Sequence, residues 1–481
     1  MPDAAPARTA RWPGVAGAVL AAALLAPAAA DAHGLGGTRT LPIPEWLFAW
    51  AAAIVLVLSF VGLSVLWPRP RLAALAVGRS WAVPAPVRVA GRVLLGALGV
   101  ALWALTVWAG ITGTDNVLSN VAPAMVYAGF WVGLPVLSIL VGDLWRALSP
   151  WRAIADAASW IGRRVAGPDG LPAPTSWPAR LGLWPAAAVL VAFAWLELAA
   201  PNKDDPGLLG VLALLYGAAM LVGCSVFGTR FLDQADGFDR YFRLAASLAP
   251  LRWHDGRLTL RWPGTGLAEV RAEPGLAAVV LALVGSTTFD GVSGGELWTA
   301  DGSPGVALQD ALGSLGLGAS SAATVAATIG LIVVTLLVTG FVRLGIAGVR
   351  SVDPKHQDAR ELMGRFAPTL VPIAIGYAVA HYFSFLLSQG QALGFLLSDP
   401  RGTGADWFGT AGWKVDYEVL SGNATWYVQV AALVLGHVAG LVAAHDLALR
   451  TFRGPRAAAR SQYWMLAVMV AFTSLGLWLL S

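Results

Sequence analysis

Charge is scarce in this 481-residue chain: Asp, Glu, Lys and Arg make up 12% of it, about half the share of an ordinary globular protein. With 57% hydrophobic residues and a mean hydropathy of +0.66, that scarcity excludes a disordered chain and argues against a water-soluble enzyme. Cysteine is nearly absent. Cys224 stands alone, which rules out an intrachain disulfide, a cysteine-based zinc knuckle and an iron–sulfur cluster. No hydrophilic block is long enough for a separate soluble domain, since the largest inner loop runs only over 229–274. The net charge of +4 is small for this length, and the basic residues fall where membrane topology puts them, so no nucleic-acid partner is expected.

What is plentiful is apolar sequence of bilayer length. Arg8 and Arg11 precede the apolar run from Val15 to Leu25, followed by Ala28-Ala-Ala30 and Ala30-Asp-Ala32, which reads as a signal peptide over 1–32. Ten spans of about 20 residues follow, the length that a hydrocarbon core of ~30 Å requires. They are Trp46–Trp67, Gly91–Thr112, Val121–Trp145, Leu181–Pro201, Gly207–Gly228, Gly275–Gly291, Ala322–Gly345, Ala367–Leu387, Trp426–Leu449 and Tyr463–Leu480. Of the 32 Lys and Arg residues, two lie in the leader, and only Arg39, Lys203, Arg401 and Lys414 fall in outer segments when the mature N-terminus is outside. Losing or adding a mid-chain span would invert every later loop and destroy that bias. The expectation is an all-α polytopic membrane protein, one helical domain over 33–481 with both mature ends outside.

Two inner loops begin alike, Asp143-Leu-Trp-Arg-Ala-Leu-Ser-Pro-Trp-Arg and Asp233-Gln-Ala-Asp-Gly-Phe-Asp-Arg-Tyr-Phe-Arg-Leu. Arg and aromatics at helical spacing suit short helices anchored in the inner headgroup layer. Arg257-Leu-Thr-Leu-Arg-Trp alternates like a strand and predicts a small hairpin. The outer loops are acidic, and the segment 398–423, rich in Gly, Trp and Asp, reads equally as a lid or as a polar connector.

Titratable side chains inside a span are costly and so are candidate site residues. His381, Asp290 and His437 fall at a shared depth slightly outside the midplane, with Glu197 as a possible fourth member. Two imidazoles and a carboxylate make a divalent-metal set, zinc or copper, that leaves a position for water and offers a hydroxide near neutral pH. Alternatively, the histidines hydrogen-bond between helices, or Asp290 is a general base. Gln389 and Gln391 would lie at the outer mouth of the eighth span, there to orient a substrate or to cap the helix. Cleavage after Ala32 would leave His33 as the first residue, able to chelate copper through its amine and ring. His445 and Asp446 belong near the inner surface, and His254 and His356 read as solvated.

Several stretches resemble the membrane-bound fenitrothion hydrolase subunits: Ala32-His-Gly-Leu-Gly-Gly-Thr-Arg-Thr-Leu-Pro-Ile-Pro-Glu-Trp, Gly285-Ser-Thr-Thr-Phe-Asp, Ala380-His-Tyr-Phe-Ser with the later Gln-Gly-Gln, Leu397-Ser-Asp-Pro, and Gly436-His-Val-Ala-Gly with Ala444-His-Asp. The likeness spans most of the mature chain. It implies a multi-pass protein of the bacterial inner membrane that works with a second homologous subunit and hydrolyses a lipophilic organophosphorus triester. It supplies no catalytic residues. The competing expectations are a transporter or metal-handling permease, and a noncatalytic assembly subunit.

Overall fold

The computed structural model describes residues 45–166, 174–353 and 358–480. The leader, His33 and His356 lie outside the described residues. Helices dominate, and among the described residues seven are long and apolar enough to cross a membrane. They are α2 (Ala85–Thr112), α3 (Val121–Val141), α6 (Pro206–Phe227), α8 (Leu276–Ser293), α9 (Ala319–Arg350), α10 (Ala359–Leu396) and α11 (Gly422–Thr451). Three other apolar helices are α1 (Glu45–Leu66), α5 (Trp184–Leu198) and α12 (Tyr463–Leu480). These ten helices coincide with the ten apolar segments of the sequence. Large apolar side chains stay on the outside, such as Ile332, Leu336 and Phe341 of α9, a surface suited to lipid rather than water. The chain is a multi-pass, all-α membrane protein.

Helix ends follow local chemistry. Asp205 caps α6 through Leu208 N–H, Ser421 caps α11 through Ala424 N–H, and prolines enter many first turns, where their missing N–H is not needed. The central helix is α8, which is buried along most of its length between α5, α9 and α10. Its polar outer end is self-satisfied: Thr287 and Thr288 donate to the carbonyls of Leu283 and Val284. Helices α10 and α11 approach each other closely. A Cβ on Gly376 would meet Ala432 O at 2.7 Å, and one on Gly436 would meet Pro372 O at 2.6 Å, so glycine at both crossings lets the two backbones touch.

Loop contacts sort by side. A three-stranded antiparallel sheet has the order β1-β3-β2, with β1 (Arg79–Ala82) and β2 (Leu251–His254) flanking β3 (Arg257–Leu260). The expected hairpin is therefore present, turning on Asp255-Gly256 with φ of 47° and 73°, and it recruits a strand from the first Arg-rich loop. At the opposite end, Thr114 N–H donates to Arg401 O and Val121 N–H to Pro400 O. Each contact joins two loops that the arginine distribution assigns to the same side.

The two Arg-aromatic loops depart from expectation. Helix α4 (Pro150–Val165) is buried at Trp151 and Arg152, and its later part is amphipathic surface. Helix α7 (Gly237–Ala246) is buried at nearly every residue, so it is part of the protein core rather than a lipid anchor. Its charges face other charges: Asp239 meets Arg243 and Arg152, and Arg240 meets Glu273. The segment 398–423 is a strap: Ser398 and Asp406 bond to each other, and Asp416 pairs through its backbone with Gln391.

Candidate functional site

Helix α3 does not keep regular α-geometry. Its residues Met125–Gly133 form a 9-residue π-helix, a wide form that is rare beyond one turn and concentrates at functional sites. Pro135 removes the N–H that would have bonded to Trp131 O, one reason the tighter ladder cannot run through. The widened turn presents Tyr127, Trp131 and Val132 to a cavity of about 180 Å³. Glu197 and Leu198 of α5, Lys203 and Asp204 beyond it, Asp290 of α8, and Tyr382 and Phe385 of α10 complete the wall.

A chain of hydrogen bonds runs through this wall. The Tyr382 hydroxyl lies 2.5 Å from Asp290 Oδ2 and 3.0 Å from Glu197 Oε1. His381 Nε2 lies 3.0 Å from the same Asp290 oxygen. A phenol has one proton, so both carboxylate contacts are hydrogen bonds only when the cluster holds another. Glu197, Tyr382 and Asp290 thus form one connected unit in which the phenol bridges two carboxylates. Asp290 faces the cavity; His381 sits behind it, its ring parallel to that of Tyr377 at 5.9 Å. Tyr127 OH donates to Lys203 O and fixes the rim, and the indole N–H of Trp131 is buried without an acceptor.

Asp290 and His381 are therefore in direct contact, with Glu197 one hydroxyl away. His437 is not in this group. Its Nδ1 donates to Leu433 O at 2.8 Å, and it lines a second, smaller hollow together with Tyr377, Thr287 and Thr288. Of the three residues expected at one depth, Asp290 and His381 touch while His437 lines the smaller hollow, since equal depth does not fix direction around the helix. Among the described residues, no group of three or more His, Cys, Asp or Glu side chains is arranged to hold a metal ion. The Gln391 amide donates to Leu387 O and Asp416 O, and Gln389 is half-buried. His445 is buried, reaching Trp67 O and Gln462, while Asp446 accepts from the backbone of Arg71 and Leu72 and from Arg450. His254 is exposed beside Asp255.

Tyr382 and the π-helix were not singled out by sequence. Tyr382 follows His381 directly, and on a helix it points about 100° away from it. A search restricted to groups charged near neutral pH passes over a phenol that joins two carboxylates.

A second polar cluster lies at the Arg-rich end. Asp233 meets Arg146, Arg152 and Arg243 at 3.2, 3.0 and 2.7 Å, and Asp239 meets Arg243 at 2.6 Å. Burial pushes the Asp233 carboxyl up, but Arg243, Arg152 and Arg146 together hold it below the usual carboxylate range. For Asp239 burial prevails over the pull of Arg243 and raises it to about 7. Asp236 is raised by burial as well; it accepts from Trp151, Tyr216 and the backbone of Phe238 and Asp239. Comparison with protein-family models, with curated proteins and with solved structures found no match.

Proposed function

We propose that the protein is an integral-membrane hydrolase of lipophilic esters, with organophosphorus triesters as its substrate class. The observation that carries this reading is the Glu197–Tyr382–Asp290–His381 chain on the wall of a 180 Å³ cavity. Paired carboxylates with a shared proton supply both halves of general acid–base catalysis. Asp290, oriented by His381, takes a proton from water as the water attacks phosphorus. Glu197 gives a proton to the leaving oxygen, and Tyr382 returns the proton between them. Lys203 at the rim and the Trp131 N–H are the donors available to the phosphoryl oxygen as negative charge grows there. The resemblance to fenitrothion hydrolase subunits supports the substrate class, and a neutral ester reaches the cavity from the bilayer.

In this reading the chain crosses the bacterial inner membrane ten times with both mature ends outside, behind a leader peptide, and a second homologous subunit completes the enzyme. The cavity opens toward the outer face, where Lys203 and Asp204 lie. The zinc or copper expected on Asp290, His381 and His437 has no group of three ligands among the described residues, so no step of this reading runs through a metal.

Purified protein in detergent, assayed with a chromogenic aryl phosphotriester, tests the reading. Asp290→Asn is expected to lower turnover by about 10²–10⁴-fold while His437→Ala leaves most of it. Equal activity in wild type and Asp290→Asn removes the site. Metal analysis of the same preparation separates a general-base mechanism from a metal-bound hydroxide. A proton-coupled transporter is the second reading, favoured by two polar clusters separated by the aromatic block of Trp131, Phe193, Phe238 and Tyr241. Proton flux into sealed vesicles without ester turnover would select it.

A further inference from the structure

The smaller hollow carries a separate inference. It lies between α8, α10, α11 and α12, and its wall is apolar except for Thr287, Thr288, Tyr377 and His437. Its volume of about 20 Å³ is enough for one water molecule and too small for an organic ligand.

Two of its polar atoms have no partner within the protein. Leu433 O can only accept, so His437 Nδ1 carries the ring proton and Nε2 presents a lone pair, buried and unpaired. The Tyr377 hydroxyl is also buried and unpaired. The threonines have spent their protons on Leu283 and Val284 carbonyls, which leaves their oxygens able to accept. Leaving a buried donor and a buried acceptor unsatisfied in the same void is unfavourable for both.

We propose that this hollow is a binding site for a single water molecule that bridges His437 Nε2 and the Tyr377 hydroxyl. The water donates one proton to Nε2 and one to a threonine oxygen, and accepts the proton of Tyr377, three bonds in all, as buried waters commonly make. Tyr377 lies parallel to His381 at 5.9 Å, so the bound water sits one ring away from the candidate site.

A double-mutant cycle on the full-length protein in one detergent tests this, using Tyr377→Phe, His437→Leu and the pair, with the thermal midpoint as readout. A bridging water predicts that each single change lowers the midpoint by a few degrees and that the pair lowers it no further than the worse single change. A dry void predicts the opposite sign for Tyr377→Phe, because that change then deletes only an unsatisfied polar atom and raises the midpoint. Additive losses would also overturn the bridge. Should His437→Leu fail to fold, Tyr377→Phe alone still decides by its sign, since it removes only the hydroxyl.

Discussion

Helix α3 joins two polar clusters that differ in kind. At its start, Glu197 and Asp290 meet one phenol and one imidazole beside open space. Beyond its end, Asp233 and Asp239 are met by guanidinium groups, and Asp236 by four donors, among the rings of Trp151, Tyr216 and Phe238. Removing one partner of a buried charged pair is strongly destabilising, so the Arg-rich cluster is expected to matter to the fold. Acidic groups that share one phenol beside a cavity are candidates for proton exchange. The same residue type therefore stands in two different surroundings at the two ends.

Exchanging the two kinds of loss is the sharpest way to break this contrast. Asp290→Asn is expected to keep the fold, with an unfolding midpoint close to wild type, while phosphotriester turnover falls by the two to four orders of magnitude given above. Asp236→Ala is expected to do the reverse. It strands the indole, the phenol and two backbone N–H groups in a buried place, which costs about 3 kcal/mol or more of stability. If Asp236→Ala folded normally and Asp290→Asn did not, the assignment of structure to one end and chemistry to the other would be backwards. Tyr382→Phe is the intermediate case. It keeps the ring and cuts the link between the carboxylates, so a loss of roughly 10–100-fold in turnover is expected, as for a hydrogen bond to a charged group.

The sequence shows the membrane character well, because ten apolar stretches and a one-sided arginine distribution are long-range signals that single residues do not blur. The same holds for Asp290 and His381, which stand out as titratable groups at one depth. What it hides is direction. His437 shares the depth of His381, yet the glycine crossing at Gly376 and Gly436 sets how α10 and α11 face each other, and their contact turns His437 toward Tyr377. Nor does an apolar run show that Met125–Gly133 is wound as a π-helix. The burial of helix α7 is hidden for a related reason: Asp and Arg at helical spacing describe a solvated face or an internally paired one equally well, and only the facing residues Arg152 and Asp143 decide between them.

The smallest expected effect is the pH dependence of the Arg-rich cluster. Burial lifts the folded-state Asp239 to about 7, while an unfolded Asp titrates near its ordinary value of about 3.9. Between those limits the folded protein binds more protons than the unfolded chain, so stability must fall as pH rises. The contribution is complete below about pH 4 and is gone once the pH passes the folded value. Asp233 has the opposite sign: its arginines hold it below the ordinary range, so its contribution is complete above that range and is lost only as acid is added. From about pH 5 to pH 8, then, Asp239 acts and Asp233 is constant. Asp239→Asn keeps an oxygen for Arg243 but cannot titrate. Thermal midpoints taken across that window should decline more steeply in wild type than in the variant, by a few degrees at most. Parallel curves would mean that Arg243 and Arg152 keep Asp239 ionised throughout, and that the cluster's charges are matched more completely than its burial implies.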